Sequence, residues 1–172
     1  MFSFILLILM AEDIAKDTSK KIENGDTISV NYVGKLEDDT IFDTSLKEVA
    51  IEAGTYNQMR NYEPLTFTVG AGQMIKGFDD GVVGMQVGEE KTLTIPPEEA
   101  YGEYREEFAR EIPIDAVDFT PEVGMQLATD NGLMGSITEV SENNFVVDFN
   151  HKLAGKTLVF LVKVVSVEER KG

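Results

Sequence analysis

The chain has 172 residues, of which 42% are hydrophobic and 27% are charged, values that exclude a disordered or fibrous protein and predict a packed core. Its formal net charge of -16 gives a surface field that repels nucleic acid and anionic lipid. Solubility or adaptation to a salty cytoplasm explains this charge more simply than a specific basic client does. The sequence has no cysteine, which excludes disulfides, thiolate catalysis and cysteine-based zinc sites.

The first ten residues form an apolar run, MFSFILLILM, and charged residues follow at once. This run has about half of the ~20 residues that a membrane-spanning helix needs, and no Lys or Arg precedes it as in a secretory signal. Three interpretations stay open: a true start at Met10, a weak signal or anchor, or a segment that packs on the folded body. We expect residues 1–19 to be disordered or misassigned, and the protein to be cytoplasmic unless residues 1–10 are a genuine signal.

Period-two alternation through Ile28, Val30 and Tyr32 predicts a half-buried strand that follows an Asn-Gly-Asp turn. Further along, the pattern predicts a short strand over 40–43, an irregular loop with some helical content over 44–63, and a strand over 65–69.

Helical spacing of Ile75, Phe78, Val82 and Met85 predicts one short helix. Because this segment is rich in glycine, packing against a sheet must hold the helix in place. A strand that ends at a Pro-Pro pair follows it. The last strand, over 157–168, is apolar almost throughout and therefore suits the middle of a sheet.

The segment 103–148 differs from the rest of the chain. It contains eleven acidic and two basic residues, a net charge of -9, and has its own turn signals at 130–132 and 142–144. Short strands are expected around these turns, in QLAT, LMGSITEV and FVVDF. We therefore interpret the segment as a small β-rich insert that leaves the parent sheet and returns to it.

Four motifs occur together, in this order: VNYVGKLEDDTIFDTS, PLTFTVGAGQMIKGFDDGVVGM, VGEEKTLTIPPEEAYG and NHKLAGKTLVFLVKVV. Together they resemble the FKBP-type peptidyl-prolyl cis-trans isomerases. An insert placed directly after AYG and closed by NHKLAG resembles the SlyD-like branch, which has an insert-in-flap chaperone domain. The resemblance implies a mainly β (α+β) fold, a twisted antiparallel half-barrel sheet around one short helix. It divides the chain into an isomerase domain, 20–102 plus 149–172, and an insert, 103–148.

The resemblance also implies a pocket for the substrate proline, carried over residue by residue. Its catalytic set is Tyr32, Phe42, Asp43, Ile75, Tyr101 and Phe160, and its substrate-binding set is Leu65, Phe67, Met74 and Phe78. Related proteins often have Trp at the position of Phe78 and an aromatic residue at that of Leu65. The replacements keep the pocket apolar, but they weaken the expectation that macrolide inhibitors of the family bind here.

The pocket residues suit a reaction that needs neither acid nor base. Twisting an amide removes its resonance and reduces its dipole, so an apolar, water-poor pocket disfavours the planar ground state. The resemblance implies that the Ile75 N–H and the Tyr101 hydroxyl hold the flanking carbonyls. Asp43 either orients Tyr32 or a substrate amide, or caps the turn that follows it. For Tyr32, Phe67 and Phe160, simple core packing is the alternative.

We expect no metal and no cofactor, since His151 is the only histidine and cannot assemble a usual zinc or nickel site without cysteine. His151 is expected to stabilise the return from the insert, and general proximity to the pocket is the alternative. The pairs Asp79–Asp80 and Glu89–Glu90 are interpreted as solvated surface rather than as acid/base dyads.

The insert has more apolar side chains than so small a domain buries easily, and we expect several to form an exposed chaperone surface. The residues predicted for this surface are Ile112, Phe119, Met125, Leu133, Met134 and Phe145. The expected partners are unfolded or partly folded polypeptides that contain proline, without nucleic acid or membrane, and the protein is expected to be a monomer. The alternatives are a binding module of the same fold with little isomerase activity, and a membrane-tethered protein in which residues 1–10 matter most.

Overall fold

The computed structural model describes residues 19–130 and 132–168, so the predictions for residues 1–18 lie outside the described residues. The chain forms two compact units. Of the described residues, 19–100 and 157–168 form the main unit, and the insert unit is Tyr101–Lys156. The insert unit thus begins two residues before the predicted insert, 103–148, and ends eight residues after it. The described residues include no helix that is long and apolar enough to cross a bilayer, and a cytoplasmic location stays a prediction.

The main unit is an antiparallel five-stranded sheet with two short helices, which confirms the mainly β prediction. Its elements are β1 (Thr27–Leu36), β2 (Ile41–Thr44), α1 (Lys47–Glu52), β3 (Leu65–Thr68), α2 (Lys76–Gly81), β4 (Glu90–Ile95) and, after the insert unit, β9 (Leu158–Glu168). The strand order is β2-β1-β9-β4, and β3 pairs with the first part of β1. Helix α1 lies in the segment for which an irregular loop with some helical content was predicted.

Strands β1 and β9 form the centre of this sheet, and each alternates between a buried and a more exposed face. Phe160, Val162 and Val164 are buried, whereas Leu161 and Val165 between them are exposed. The prediction that β9 is a central strand is right for its hydrogen bonding, since β1 and β4 flank it. Its apolar run does not mean that both faces are buried, because helix α2 covers only one face.

Helix α2 packs closely on β4 through two glycines. A Cβ atom at Gly77 would lie 2.4 Å from Ile95 Cγ2, and one at Gly81 would lie 2.7 Å from Leu93 Cδ1. The glycines that make the helix weak in isolation are therefore the residues that let it approach the sheet. This close approach buries Phe78, which is 1% exposed, at the centre of the unit.

The prediction that Asp79 is solvated is wrong. Asp79 is 7% exposed, and its Oδ1 accepts a hydrogen bond from the Gly70 N–H at 2.8 Å. Its neighbour Asp80 is exposed and pairs with Lys76 one helical turn earlier. Two adjacent helical residues point about 100° apart, so one of an acidic pair can be buried while the other stays in water.

The insert unit is a four-stranded antiparallel sheet of order β5-β8-β7-β6. Its strands are β5 (Ala109–Pro113), β6 (Gln126–Ala128), β7 (Met134–Val140) and β8 (Asn144–Asp148). Ile137, Phe145 and Val147 form its buried core. The prediction that Phe145 belongs to an exposed surface is therefore wrong: it is 1% exposed, because a unit this small needs its β8 aromatic ring for the core.

Candidate active site

Five aromatic side chains meet on the inner face of the main sheet, each from a different element. Phe78 of α2 lies at the centre, with its ring centroid 5.1 Å from that of Phe160 and 5.8 Å from that of Phe67. The Tyr32 centroid lies 6.1 Å from Phe160, and the Phe42 centroid lies 5.6 Å from Phe160. Most of these pairs are edge-to-face or tilted, the arrangements that aromatic quadrupoles favour. The cluster forms a continuous apolar floor.

Gly34 of β1 makes room for the outer part of this cluster. It pairs with Phe160 in register, and a Cβ atom at this position would lie 2.8 Å from Phe160 Cε1 and 2.9 Å from Phe42 Cζ. Any side chain at this position would displace both rings. The pocket therefore requires a glycine at this position of the YVGK motif. The motif was visible in the sequence, but its glycine was not used to predict the pocket.

A polar network closes the cluster at the Tyr32 end. The Tyr32 hydroxyl donates to Asp43 Oδ2 at 2.7 Å, and Arg60 forms an ion pair with Asp43 Oδ1. Arg60 Nη2 also donates to the Tyr32 oxygen at 3.0 Å. Burial and the Asp43 carboxylate raise the pKa of Tyr32 to about 12, and the bond to Asp43 raises the pKa of Arg60. Tyr32 thus stays a neutral phenol at physiological pH.

Arg60 was missed by sequence reasoning. It lies 17 residues after Asp43 in a segment without periodicity, and the loop has its own scaffold. The Tyr56 and Tyr62 rings stack with centroids 5.6 Å apart, and the Asn57 N–H donates to the Tyr62 hydroxyl at 2.9 Å. The only available signal is that Arg60 is the one basic residue between Lys47 and Lys76.

The remaining residues predicted for the pocket of the main unit are less buried. Leu65, Met74 and Ile75 are all half-buried. The Ile75 carbonyl accepts hydrogen bonds from the first turn of α2, at 3.0 Å from the Phe78 nitrogen. Within residues 19–130 and 132–168, the Ile75 N–H donates to no protein acceptor, so this backbone donor is available.

A cleft of about 680 Å³ lies beside the polar network. Of the predicted site residues it includes Tyr32 and Leu65, together with Arg60. The rest of its lining is mainly polar: Ser29, Asn61, Glu63, Pro64, Thr66, Val165 and Ser166.

Tyr101 is the one predicted catalytic residue that belongs to the insert unit. This residue is 42% exposed, and its ring stacks on His151, with centroids 3.9 Å apart and planes at 6°. His151 Nδ1 accepts a hydrogen bond from the Leu153 N–H at 3.2 Å. His151 thus makes a hydrogen bond within the return segment and also contacts Tyr101. The contact with Tyr101 was not predicted from the sequence.

An apolar groove of about 510 Å³ lies in the insert unit. Its lining is Phe108, Arg110, Ile112, Thr129, Asp130, Leu133 and Phe149. Of the residues predicted for the chaperone surface, Ile112 and Leu133 contribute to the groove. Leu133, Met134 and Phe119 are exposed, whereas Met125 packs partly against the core.

A family model for the FKBP-type peptidyl-prolyl cis-trans isomerases matches residues 18–165. The chain belongs to this family. It is similar to the short-type peptidyl-prolyl cis-trans isomerase of Methanocaldococcus jannaschii, with 45% identity over 150 residues, which cover 86% of this chain and 94% of the relative.

Two bacterial relatives carry the name SlyD. The chain is 34% identical to the FKBP-type peptidyl-prolyl cis-trans isomerase SlyD of Pasteurella multocida over 154 residues, 87% of this chain and 70% of the relative. It is 35% identical to that of Vibrio cholerae over 152 residues, 86% and 69% respectively. These similarities confirm the predicted resemblance to FKBP-type enzymes of the SlyD-like branch.

As an FKBP-type protein the chain is a peptidyl-prolyl cis-trans isomerase, and proline-containing polypeptides are its substrates. The part of the chain that the structure describes has no group of three or more His, Asp or Glu side chains that could hold a metal ion. Within the main unit, the structure brings together Tyr32, Phe42, Asp43, Phe67, Phe78 and Phe160 from the predicted FKBP site.

Proposed function

We propose that this FKBP-type isomerase binds the substrate proline over the aromatic cluster of the main unit and accelerates X-Pro rotation by desolvation and positioning. The observation that carries the proposal is the cluster itself, five rings of which one, the neutral Tyr32, is held by Asp43 and Arg60. Rotation about a prolyl bond needs no proton transfer, and this arrangement is built for apolar contact.

The amide dipole explains how an apolar pocket accelerates the rotation. The barrier of ~18–20 kcal/mol comes from resonance, which also gives the planar amide its large dipole. A water-poor aromatic floor stabilises the twisted, less polar state relative to the planar one. A ten-thousand-fold acceleration requires about 5.5 kcal/mol from desolvation and hydrogen bonding together.

Two donors supply the hydrogen bonds in this proposal. The Ile75 N–H binds a carbonyl beside the proline, and it is free of protein acceptors in residues 19–130 and 132–168. The Tyr101 hydroxyl binds a second carbonyl. Leu65, Phe67, Met74 and Phe78 contact the proline ring and its neighbours, and Asp43 acts by orienting Tyr32. Each donor would restrict the carbonyl that it binds while the prolyl bond rotates.

The insert unit, in the same proposal, is a chaperone module that captures unfolded chain segments. Its groove is lined largely by apolar side chains, and Leu133 and Met134 are each 57% exposed. Apolar surface of this kind binds exposed hydrophobic segments without demanding a fixed sequence. Capture raises the concentration of proline segments available to the isomerase.

The test compares two substrates, a short prolyl peptide and a protein whose refolding is limited by proline isomerisation. Phe42→Ala removes a ring of the cluster, and we expect kcat/KM to fall by at least about tenfold on both substrates, a loss of ~1.4 kcal/mol. Leu133→Ser, in the groove, should slow catalysis on the refolding protein and leave the peptide rate unchanged.

Val123→Ser is the matched control, since Val123 is 66% exposed in the insert unit and lies outside the groove lining. It should change neither rate. Equal rates for Phe42→Ala and the unmodified protein would refute the pocket. If Leu133→Ser and Val123→Ser behaved alike on the refolding protein, the groove would not be the capture surface.

A further inference from the structure

We infer that His151 is a positioning residue for Tyr101, holding the phenol ring through a face-to-face stack so that its hydroxyl is oriented for substrate. This inference rests on the proposed function, because it requires Tyr101 to bind a substrate carbonyl. It concerns a residue that would otherwise serve only to stabilise the return of the chain from the insert.

Tyr101 needs such support because it is an exposed side chain. The residue is 42% exposed, so packing alone leaves its torsions poorly restricted. The contact with the His151 ring is close and nearly parallel, with centroids 3.9 Å apart and planes at 6°. A flat partner of this kind restricts the tilt of the phenol ring while leaving its hydroxyl edge free.

His151 is itself fixed by the turn that contains it. Its Nδ1 accepts the Leu153 N–H at 3.2 Å, and its carbonyl accepts the Ala154 N–H at 2.8 Å. Leu153 and Ala154 are buried, at 7% and 8% exposure, and so anchor the turn. The imidazole is therefore a rigid support rather than a mobile neighbour.

The turn is also tied directly to the segment that carries Tyr101. The Gly155 N–H donates to the Gly102 carbonyl at 2.8 Å, one residue after Tyr101. The hydrogen bond fixes the backbone, and the stack fixes the side chain. Two independent contacts thus connect the AYG and NHKLAG motifs.

The hydrogen bond from the Leu153 N–H also determines the tautomer of the His151 imidazole. Nδ1 accepts a hydrogen bond from the Leu153 N–H, so Nδ1 carries no proton of its own and the neutral ring has its proton on Nε2. Protonation would place an N–H at Nδ1 against the Leu153 N–H and would break this bond. Desolvation and the charge of Lys152 on the same turn lower the pKa of His151, which favours the neutral ring. Tyr101 covers one face of that ring.

The experiment separates the stack from the hydrogen bond in the full chain. His151→Asn keeps an acceptor for the Leu153 N–H and removes the ring, His151→Phe keeps a ring and removes the acceptor, and His151→Ala removes both. Tyr101→Phe is the reference for loss of the hydroxyl. The measurements are the Tyr101 ring proton shifts by NMR and kcat/KM on a prolyl peptide as a function of pH.

In the unmodified protein we expect the Tyr101 ring protons to be shifted upfield by the imidazole. They should move toward ordinary tyrosine values in the Asn and Ala variants, with the other resonances in place. In these two variants kcat/KM should fall by about two- to tenfold, the range that an aromatic contact is worth. His151→Phe should keep more activity than either.

The pH profile gives a readout that a merely structural role would not move. Activity of the unmodified protein should fall as the pH drops below the ordinary histidine value of 6.5, and the His151→Phe profile should be flat. If Tyr101→Phe is impaired but His151→Ala is fully active, the inference is wrong and the proposed function stands. If Tyr101→Phe is fully active, the role of the hydroxyl is refuted and the inference fails with it.

Discussion

The Tyr32 phenol shows how single residues set the polarity of the pocket. Desolvation and the Asp43 carboxylate raise its pKa from 10.0 to about 12, whereas Arg60 acts in the opposite direction. The hydroxyl therefore remains a neutral donor to Asp43 in the working range of pH. A phenolate in the same place would put a charge beside the apolar floor, which is costly in a buried site.

This balance predicts a titration that can be measured. One of the five tyrosines should titrate near pH 12 by phenolate absorbance, and Tyr32→Phe should remove that transition. Because the pKa of Tyr32 is raised in the folded state, its neutral form contributes its full stabilisation below pH 10. This stabilisation should be lost as the pH rises from 10 toward 12. Arg60→Met should raise the pKa further, and Asp43→Asn should lower it.

Tyr56→Phe is a suitable control, since Tyr56 is 43% exposed and the substitution keeps the ring that stacks on Tyr62. The high transition should survive that substitution. If instead all tyrosines titrated together near their ordinary value, or if Arg60→Met lowered the high transition, the described network would be incorrect.

The partnership of Asp43 with Tyr32 was predictable from the sequence, whereas that with Arg60 was not. Asp43 and Tyr32 lie on strands that the alternation pattern identifies, and adjacent antiparallel strands bring them together. Arg60 reaches the same carboxylate from a loop whose shape depends on the stacked Tyr56 and Tyr62. No local period encodes such a contact, because it depends on the path of the loop.

At the scale of elements, helix α2 joins the sheet to the pocket. The spacing of its apolar residues was sufficient to predict that this helix exists and that Phe78 lies on its buried face. Strand β5 was not predicted, because AREIP lacks a clear alternation and gains its partner only when β8 pairs with it. Phe145 was placed on the surface for a similar reason: the sequence shows that it is apolar, but the sheet register decides which face it occupies.

Gly77 provides a test of why α2 is glycine-rich. Intrinsic propensity alone would make Gly77→Ala stabilising by about 1 kcal/mol. The new methyl would lie 2.4 Å from Ile95 Cγ2, so we expect the substitution to destabilise the main unit by about 1–3 kcal/mol instead. Chemical denaturation measures the change, and Asp80→Ala, on the exposed side of the same helix, is the control.

A double-mutant cycle isolates the contact. Ile95→Ala removes the colliding atoms, so Gly77→Ala should be much less destabilising in that background than in the unmodified protein. A stabilising effect of Gly77→Ala alone, or strict additivity of the two substitutions, would mean that close approach does not explain the glycine.

At the scale of the whole molecule, the chain supports two separate hydrophobic cores. The main unit buries many apolar residues against α2, whereas the core of the insert unit has three fully buried members, Ile137, Phe145 and Val147. Small cores bury a smaller fraction of their surface and stabilise less. A unit that captures clients through an exposed groove also leaves apolar area in water rather than in its core.

We therefore expect the insert unit to open locally at a lower free energy than the main unit. In native-state hydrogen exchange, amides of β7 and β8 should exchange faster than those of β1 and β9. Val147→Ala should lower the protection of the insert unit by about 1–3 kcal/mol and leave that of β1 and β9 unchanged. Val162→Ala, the matched truncation in the main unit, should lower protection in β1 and β9. Equal protection of both sheets, with each substitution lowering both, would show that the two units unfold as one cooperative body.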